Sequence, residues 1–348
     1  MLRYLGKRVL LILPTIFVPL ILVFLLLRLS PGDPAGMMLG DQATPEQIAA
    51  LRTQMGLDQP LLVQFLLWLK NIVTLNLGDS LFFREPVMQI IPRYAGVTIL
   101  LTMVALTLAI TIGVTMGLIS AMNRNKPIDR GVVATAVLGI SLPEFWFALL
   151  LIFVFSVTLR WFPVAGYNPP SAGLIAFSAT IFLPALALGV RQSALMTRMM
   201  RSSMLDVLNE PYITTARAQG LPERTVIGRY AMRTAAMPVV TVVGLSAGYM
   251  LGGAVAIELI FALPGLGRML VEAVGRRDYP LVEGGVLTIA LCWLSSICSS
   301  TSFTLSLIQG YATNDLLSGH GGIRPGGGNC PSHRTRGRRA ESFLPQCR

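Results

Sequence analysis

The sequence predicts an all-α integral membrane protein with six transmembrane helices. Of its 348 residues, 53% are hydrophobic and only 13% are charged, whereas about a quarter of the residues in soluble globular proteins are charged. Six apolar stretches approach or exceed the roughly 20 residues that a helix needs to cross the hydrocarbon core of a bilayer. These observations exclude an ordinary cytosolic enzyme, because so many apolar residues require contact with lipid.

The first apolar stretch, Val9–Leu27, follows the basic residues Arg3, Lys7 and Arg8. A cleaved signal peptide is the alternative, but this apolar run is too long and lacks the small-residue cleavage site that follows such a peptide. We therefore expect residues 1–29 to form a retained N-terminal transmembrane helix.

The segment 30–96 is predicted to lie outside, in the periplasm, because its acidic residues outnumber its basic ones. Thr44 offers an N-cap with Gln47 at the capping-box position, and Gly56 is placed to end that helix. A second stretch, Pro60–Thr74, has an apolar face suited to lying on the membrane surface or on the helix bundle.

A transmembrane core is predicted over residues 97–312. Its spans are expected at Val97–Ala121, Val132–Leu159, Ile175–Met196, Ala235–Ile257 and Gly284–Ile308. Basic residues collect in alternate connections, before the first span and then at 124–130 and 198–233. Because such residues mark the cytoplasmic side, both termini are predicted to be cytoplasmic. The net charge of +11 is read as this topology signal, and no nucleic-acid partner is predicted.

The long inner connection, 198–234, contains a short predicted helix. Pro211 suits the first turn of that helix and Gly220 suits the position after its end. Ala216 and Ala218 are small enough to let another protein approach closely. An ordinary solvated loop on the positive side of the membrane explains the composition equally well.

A second motif follows the fifth span on the outer side. It runs from Glu258 through Phe261 and Pro264 to Gly265 and Gly267, where the two glycines are expected to bracket a tight turn. Asp278 and Pro280 come shortly afterwards. A plain loop would explain this pattern as well.

Glu144 is the clearest charge inside a predicted span. Ionisable groups at that depth are costly and usually face a cavity or a partner, so Glu144 either lines a translocation path or pairs within the bundle beside the kink expected at Pro143. Arg191 is expected nearer the inner face, where its side chain would reach the interface.

No pattern indicates catalysis, a metal or a cofactor. Ser246 lies in a G-x-S-x-G sequence, but a nucleophile elbow needs a strand, a turn and a histidine base, and the two histidines, His320 and His333, are confined to the tail. The four cysteines form no C-x-x-C pair. No G-x-x-x-x-G-K-[ST] sequence occurs, so ATP hydrolysis would require another chain.

The inner connection resembles the coupling loop of ATP-binding-cassette importer permeases, in the variant Y-x-x-T-A-R-A-x-G of the peptide permeases. The matching residues are Tyr212, Thr215, Ala216, Arg217, Ala218 and Gly220. The outer motif is similar to the same family at Glu258, Phe261, Pro264, Gly265, Gly267, Asp278 and Pro280. The resemblance covers about residues 1–294 and is closest to B-type subunits of dipeptide, oligopeptide and nickel importers.

This resemblance implies a permease subunit of the bacterial inner membrane that moves peptides or similar small solutes by alternating access. Its implied partners are a second permease subunit, two ATP-binding subunits, a periplasmic solute-binding protein and membrane lipid. The solute itself stays open among dipeptides, longer peptides, glutathione and nickel chelates. The alternatives are a proton-coupled secondary transporter that uses Glu144 and an intramembrane enzyme that uses Glu144 and Ser246.

The tail departs from the family pattern. The last predicted span becomes rich in serine and threonine after Leu294, and 313–348 has the composition of a disordered segment. Codons exist for Ser295–Tyr311 that encode an apolar, family-like ending when read two nucleotides along. A frameshift near Ser295 is the resulting hypothesis, to be tested by sequencing the coding DNA, and a genuine basic tail is the alternative.

Overall fold

Helices form nearly all of the regular structure in the described part of the chain. The computed structural model describes residues 2–29, 35–36, 43–54, 56–74, 76–80, 82–296 and 298. The helices are α1 (Leu2–Leu29), α2 (Pro45–Gln54), α3 (Leu61–Val73), α4 (Val87–Met122), α5 (Pro127–Ser141), α6 (Glu144–Leu151), α7 (Leu174–Leu208), α8 (Pro211–Ala218), α9 (Glu223–Thr225), α10 (Met232–Ile260), α11 (Leu266–Gly275) and α12 (Tyr279–Ser296). A short antiparallel hairpin, β1 (Asp79–Ser80) and β2 (Glu85–Pro86), precedes α4.

The membrane-protein fold predicted from the sequence is confirmed. Within the described residues, four helices are long and apolar enough to cross a membrane: α4, α7, α12 and the continuous helix Glu223–Ile260. A fifth crossing is present if the bent pair α5 and α6 forms one span. The helix α1 has 28 residues, which is long enough to cross a membrane. Among the described residues, its stretch Phe17–Leu29 forms a shorter apolar helix. The count of six crossings and their orientation stay predictions.

The third predicted span, Val132–Leu159, is not one straight helix. It is broken between α5 and α6, where the helix axis changes direction by 107°. Leu142 has an extended backbone with ψ of 130°, because the ring of Pro143 disfavours helical geometry at the residue before it. The break places Glu144 in the first turn of α6.

The helices α4 and α7 approach each other closely through glycines. A Cβ atom on Gly113 would lie 2.6 Å from the Cβ of Met196, and one on Gly117 would lie 2.6 Å from the Cβ of Met200. Small residues at such crossings let two membrane helices pack closely. The core around this crossing includes the fully buried side chains Leu101, Leu183, Leu188, Met196 and Met250.

The outer segment has the local structure that its sequence predicts. Thr44 and Gln47 form the capping box, with each side-chain oxygen accepting a hydrogen bond from the other residue's amide, and Gly56 has a positive φ of 67° after α2. The helix α3 packs on the bundle, where Trp68 contacts the ring of Phe24. The helix α4 begins at Val87, ten residues before the predicted second span, and the periplasmic location of 30–96 stays a prediction. The predictions for residues 299–348, including the frameshift, lie outside the described residues.

Candidate functional site

The short helix α8 is the exposed part of the inner connection. It begins at Pro211, which occupies the first turn, and Gly220 follows its end with a φ of 78°. This positive φ favours glycine, because a Cβ atom is strained in the left-handed region. The sequence therefore predicted both ends of the helix correctly.

One face of α8 is buried against the protein and the other is open. Ile213 is fully buried and Ala216 is only 4% exposed, and the spacing of three residues places both on one helical face. The methyl group of Ala216 therefore packs inward, and its place in the coupling set stays a prediction. The other residues of the predicted coupling set remain exposed, and they are Tyr212, Thr215, Arg217, Ala218 and Gly220.

Two contacts fix the exposed face of α8 to the segment that follows it. Arg217 forms an ion pair with Glu223 at 2.6 Å, and the carboxylate hydrogen bond raises the pKa of the guanidinium further. The hydroxyl of Tyr212 donates to Oγ1 of Thr234 at 3.3 Å. The helix is thus held to the start of the long helix that continues into α10.

A buried cluster lies beneath α8 and joins it to three membrane helices. Its buried members come from α4, α7, α8 and the segment leading into α10, and they are Ala121, Met200, Met204, Val207, Ile213, Ala216, Val226, Ile227, Ala231, Ala235 and Val239. Because packed interiors transmit displacement rather than absorb it, a force on α8 reaches the ends of these helices that lie next to it.

Sequence reasoning missed an ion pair beside this cluster. Arg201 donates to Asp129 through Nε at 2.7 Å and through Nη2 at 2.9 Å. The same carboxylate accepts from the hydroxyl of Ser120 at 2.5 Å and from the amide of Asn125 at 2.9 Å. This paired geometry ties the C-terminal ends of α4 and α7 to the start of α5. An acidic residue in a strongly basic region is the signal that could have pointed to it.

The outer motif forms a compact capping site around Glu258. This residue is fully buried, and its carboxyl group accepts from the hydroxyl of Thr98 at 2.6 Å and from the amide of Arg268 at 3.1 Å. Thr98 in turn accepts from the amide of Leu266 at 2.8 Å. Free amides at the start of α11 are therefore satisfied by side chains from α10 and α4.

The two glycines of this motif are required by close contacts. A Cβ on Gly265 would lie 2.2 Å from the carboxyl carbon of Glu258, and one on Gly267 would lie 2.6 Å from the Cα of Val255. The expectation that both glycines bracket a turn is wrong for Gly267, which lies in the first turn of α11 and packs against α10. Phe261 is buried before the turn and Pro264 is exposed within it.

Replacing Gly265 with alanine is expected to destabilise the subunit by about 2 kcal/mol, as for other substitutions that overfill a packed site. The added methyl group must displace the Glu258 carboxyl group from the start of α11. Gly275→Ala is the matched control, because a Cβ there meets nothing within 4 Å. The midpoint of thermal unfolding in detergent measures both. Equal midpoints for the two variants would contradict the packing described at Gly265.

Asp278 connects the outer motif to the segment after the first span. It is fully buried, and its Oδ2 accepts from the hydroxyl of Ser80 at 2.5 Å, while its backbone carbonyl accepts from Val282 at the start of α12. Pro280 lies beside Gly78, whose Cβ position is 3.8 Å from the proline ring. The structure thus brings two sequence-predicted outer segments together, which sequence spacing alone could not indicate.

Glu144 faces a polar group within the bundle. Its Oε1 lies 3.9 Å from Nη1 of Arg191, which is too long for a hydrogen bond. The same Nη1 donates to the hydroxyl of Tyr249 on α10. Arg191 lies at the midpoint of α7 and bonds across the bundle, and its expected place near the inner interface stays a prediction.

Ser246 has a structural partner. Its hydroxyl donates to Oε1 of Gln192 at 3.0 Å, and both side chains are buried between α7 and α10. The residue lies inside a continuous helix, whereas a nucleophile elbow requires a turn between a strand and a helix. The described residues contain no group of acidic, histidine or cysteine side chains arranged to hold a metal ion.

Two family models match most of the chain. The model described as "Binding-protein-dependent transport system inner membrane component" matches residues 113–310. The model for the N-terminal part of such membrane components matches residues 1–102. The first match alone covers more than half of the chain.

Curated relatives agree with these matches. The chain is 43% identical to a putative peptide transport system permease protein of Brucella abortus, over 83% of this chain and 92% of the relative. It is 38% identical to a di/tripeptide transport system permease protein of Pseudomonas aeruginosa, over 90% and 98%. It is also 41% identical to a glutathione transport system permease protein of Escherichia coli, over 84% and 92%.

A solved structure shares the fold. The chain is similar to a subunit of the MetNI methionine ABC transporter in an inward-facing conformation, with a TM-score of 0.50 and 17% identity. The match covers 63% of this chain and 97% of that subunit.

Proposed function

Since the chain belongs to the family of binding-protein-dependent transport system inner membrane components, we propose that it is the subunit through which a peptide importer passes its solute inward across the bacterial inner membrane. It is a multi-pass permease subunit of an ATP-binding-cassette importer and not an enzyme. Its named relatives carry peptides, dipeptides, tripeptides or glutathione, and these names support a short peptide as the solute.

The geometry of α8 is the observation that carries the mechanism. The helix α8 is exposed on one face and packs with the other on a buried cluster that joins it to three membrane helices. Movement of α8 by a bound partner subunit can therefore rearrange the bundle. Family membership implies ATP-binding and solute-binding partners. We propose that five exposed residues contact an ATP-binding subunit, namely Tyr212, Thr215, Arg217, Ala218 and Gly220. Ala216 instead packs α8 onto the buried cluster beneath it.

We further propose that a second permease subunit completes the importer and that both termini are cytoplasmic. The strongly basic inner connections support this orientation. Large apolar side chains on α10, such as Leu245, which is 60% exposed, support a membrane or subunit contact on that helix. The proton-coupled alternative is not favoured, because the relatives are importer permeases.

Replacing Gly220 with aspartate is expected to reduce the ATP-binding subunits recovered with the purified permease to about a tenth. The substitution places a negative charge on the exposed face of α8 and strains a backbone with a φ of 78°. Solute transport should fall in parallel. Co-purification from membranes, followed by transport in vesicles, measures both effects.

Gly56→Asp is the matched control for this test. Gly56 has a similar φ of 67° and open space around its Cβ position, but it lies in the outer segment, so its variant carries the same strain without touching the proposed contact. The coupling assignment is wrong if both variants retain the ATP-binding subunits and transport equally well.

A further inference from the structure

A cavity with a mostly apolar lining and a few polar side chains opens between α7 and α10, beside the Asp129–Arg201 ion pair. Its volume is about 820 Å³, and its lining includes Arg191, Gln192, Ser246 and Tyr249. Such polar groups in membrane-crossing helices do not face lipid, because a charge in hydrocarbon is costly. The cavity therefore faces water or a partner subunit.

Arg191 is incompletely paired among the described residues. Its Nη1 donates to the Tyr249 hydroxyl, and its guanidinium lies 5.0 Å from the centre of that ring. Its Nε is buried and has no hydrogen-bond partner in the described part of the chain. Because 39% of the side chain is exposed, the guanidinium is accessible from the cavity and retains unused N–H groups.

Glu144 is held near this guanidinium without closing on it. Its Oε1 is buried, accepts no hydrogen bond from any described residue and stays 3.9 Å from Nη1 of Arg191. A Cβ on Gly253 would lie 2.9 Å from the other carboxylate oxygen, so α10 packs against the carboxylate. A buried ion pair that served stability alone would be expected to close and satisfy both groups.

The other cations of the cavity differ from Arg191. Arg201 is already bonded to Asp129 by two hydrogen bonds, so its charge is neutralised. Arg198 lies two helical turns further along α7 toward the inner side and is exposed. Of the three arginines that line the cavity, Arg191 is thus the one with a buried donor nitrogen that has no partner among the described residues. A planar guanidinium fits a carboxylate by paired hydrogen bonds.

We propose that Arg191, together with the Tyr249 hydroxyl, binds the free α-carboxylate of a peptide passing through this cavity, and that Glu144 is the counter-ion of Arg191 when the cavity is empty. This proposal rests on the proposed function, since it takes a peptide as the solute. A lipid headgroup phosphate is the other anion that a guanidinium binds, and the position of Arg191 in the wall of a cavity of about 820 Å³ favours the solute.

The test compares uptake of a labelled tripeptide as the free acid and as the C-terminal amide, in vesicles that contain the complete importer and its binding protein. Uptake of the free acid by Arg191→Gln should fall about tenfold, the cost of one charge-assisted hydrogen bond. Uptake of the amide should change less than twofold. Because the same binding protein delivers both peptides, only the change in their ratio reports on the permease.

Two further variants sharpen this comparison. Arg191→Lys keeps the charge and should recover part of the preference for the free acid. Arg160→Gln removes an exposed arginine on the segment after α6 and should keep the wild-type ratio. The proposal is overturned if Arg191→Gln keeps the wild-type ratio of free-acid uptake to amide uptake. This includes an equal fall in both uptakes, which is the result expected if Arg191 is purely structural.

Failure of the proposed function gives a different result. Wild-type vesicles that import neither peptide would overturn the peptide assignment and the carboxylate site together. Wild-type import of both peptides with an unchanged ratio in Arg191→Gln would overturn the carboxylate site alone. A loss in Arg191→Gln that depends on anionic lipid in the vesicles, and not on the peptide terminus, would assign the site to a headgroup and overturn the proposal.

Discussion

Replacing Asp129 with alanine is expected to lower the free energy of unfolding of the subunit by about 3 kcal/mol, as when one partner of a buried ion pair is removed. The side chain of Asp129 is 5% exposed and that of Arg201 is 27% exposed. The variant loses four hydrogen bonds and leaves the guanidinium of Arg201 without its counter-charge. The midpoint of thermal unfolding in detergent should fall by roughly 4 °C.

A double-mutant cycle separates the pair from its surroundings. Arg201→Ala should also destabilise the subunit, and Asp129→Ala combined with Arg201→Ala should cost clearly less than the sum of the two single changes, because both remove the same interaction. Asp206→Ala is the matched control, since this aspartate is exposed, lies on α7 with Arg201 and has no side-chain hydrogen bond or ion pair with any described residue. Additive effects would show that the two residues are not coupled.

This ion pair also shows where sequence reasoning stopped. Asp129 and Arg201 are separated by 72 positions, as Thr98 and Glu258 are by 160. Patterns of apolar spacing predict which segments cross the membrane, but they do not specify which helices become neighbours. The pairing depends on how α4, α7 and α10 pack, and this packing is decided by close contacts such as Gly113 against Met196.

Local signals, in contrast, were read correctly. The capping box of Thr44, the first-turn position of Pro211 and the left-handed conformation of Gly220 each depend on neighbours within a few residues. Local steric rules and hydrogen bonds therefore determine them. The outer motif was identified only by its resemblance to the family. The structure explains its first glycine, because Gly265 leaves room for the buried carboxyl group of Glu258.

Two further features had a local signal in the sequence. Ile213 lies three residues before Ala216, and an apolar residue at that spacing indicates a shared buried face, so the inward position of Ala216 was predictable. Pro143 disfavours helical geometry at Leu142, and the kink expected there is present as the break between α5 and α6. The contact between Arg191 and Tyr249 had no such signal, since the two residues lie on helices that are far apart in the sequence.

Replacing Glu258 with alanine is expected to destabilise the subunit by about 3 kcal/mol, since a fully buried polar network loses its central acceptor. The hydroxyl of Thr98 and the amide of Arg268 would both lose their partner. The variant also leaves an empty space beside Gly265, which adds a cavity term to the loss. The expected results are a lower midpoint of thermal unfolding and a smaller folded fraction after detergent extraction.

Glu258→Gln distinguishes capping from space filling. Glutamine has nearly the volume of glutamate, and its amide oxygen can still accept one of the two hydrogen bonds, so its loss should be about half that of alanine. Thr98→Val removes the donor and the acceptor of the neighbouring hydroxyl, and it should add little to Glu258→Ala because the two side chains act as one unit. If Glu258→Ala unfolds at the wild-type temperature, the start of α11 does not depend on this carboxyl group, and the outer motif then needs an explanation in transport rather than in folding.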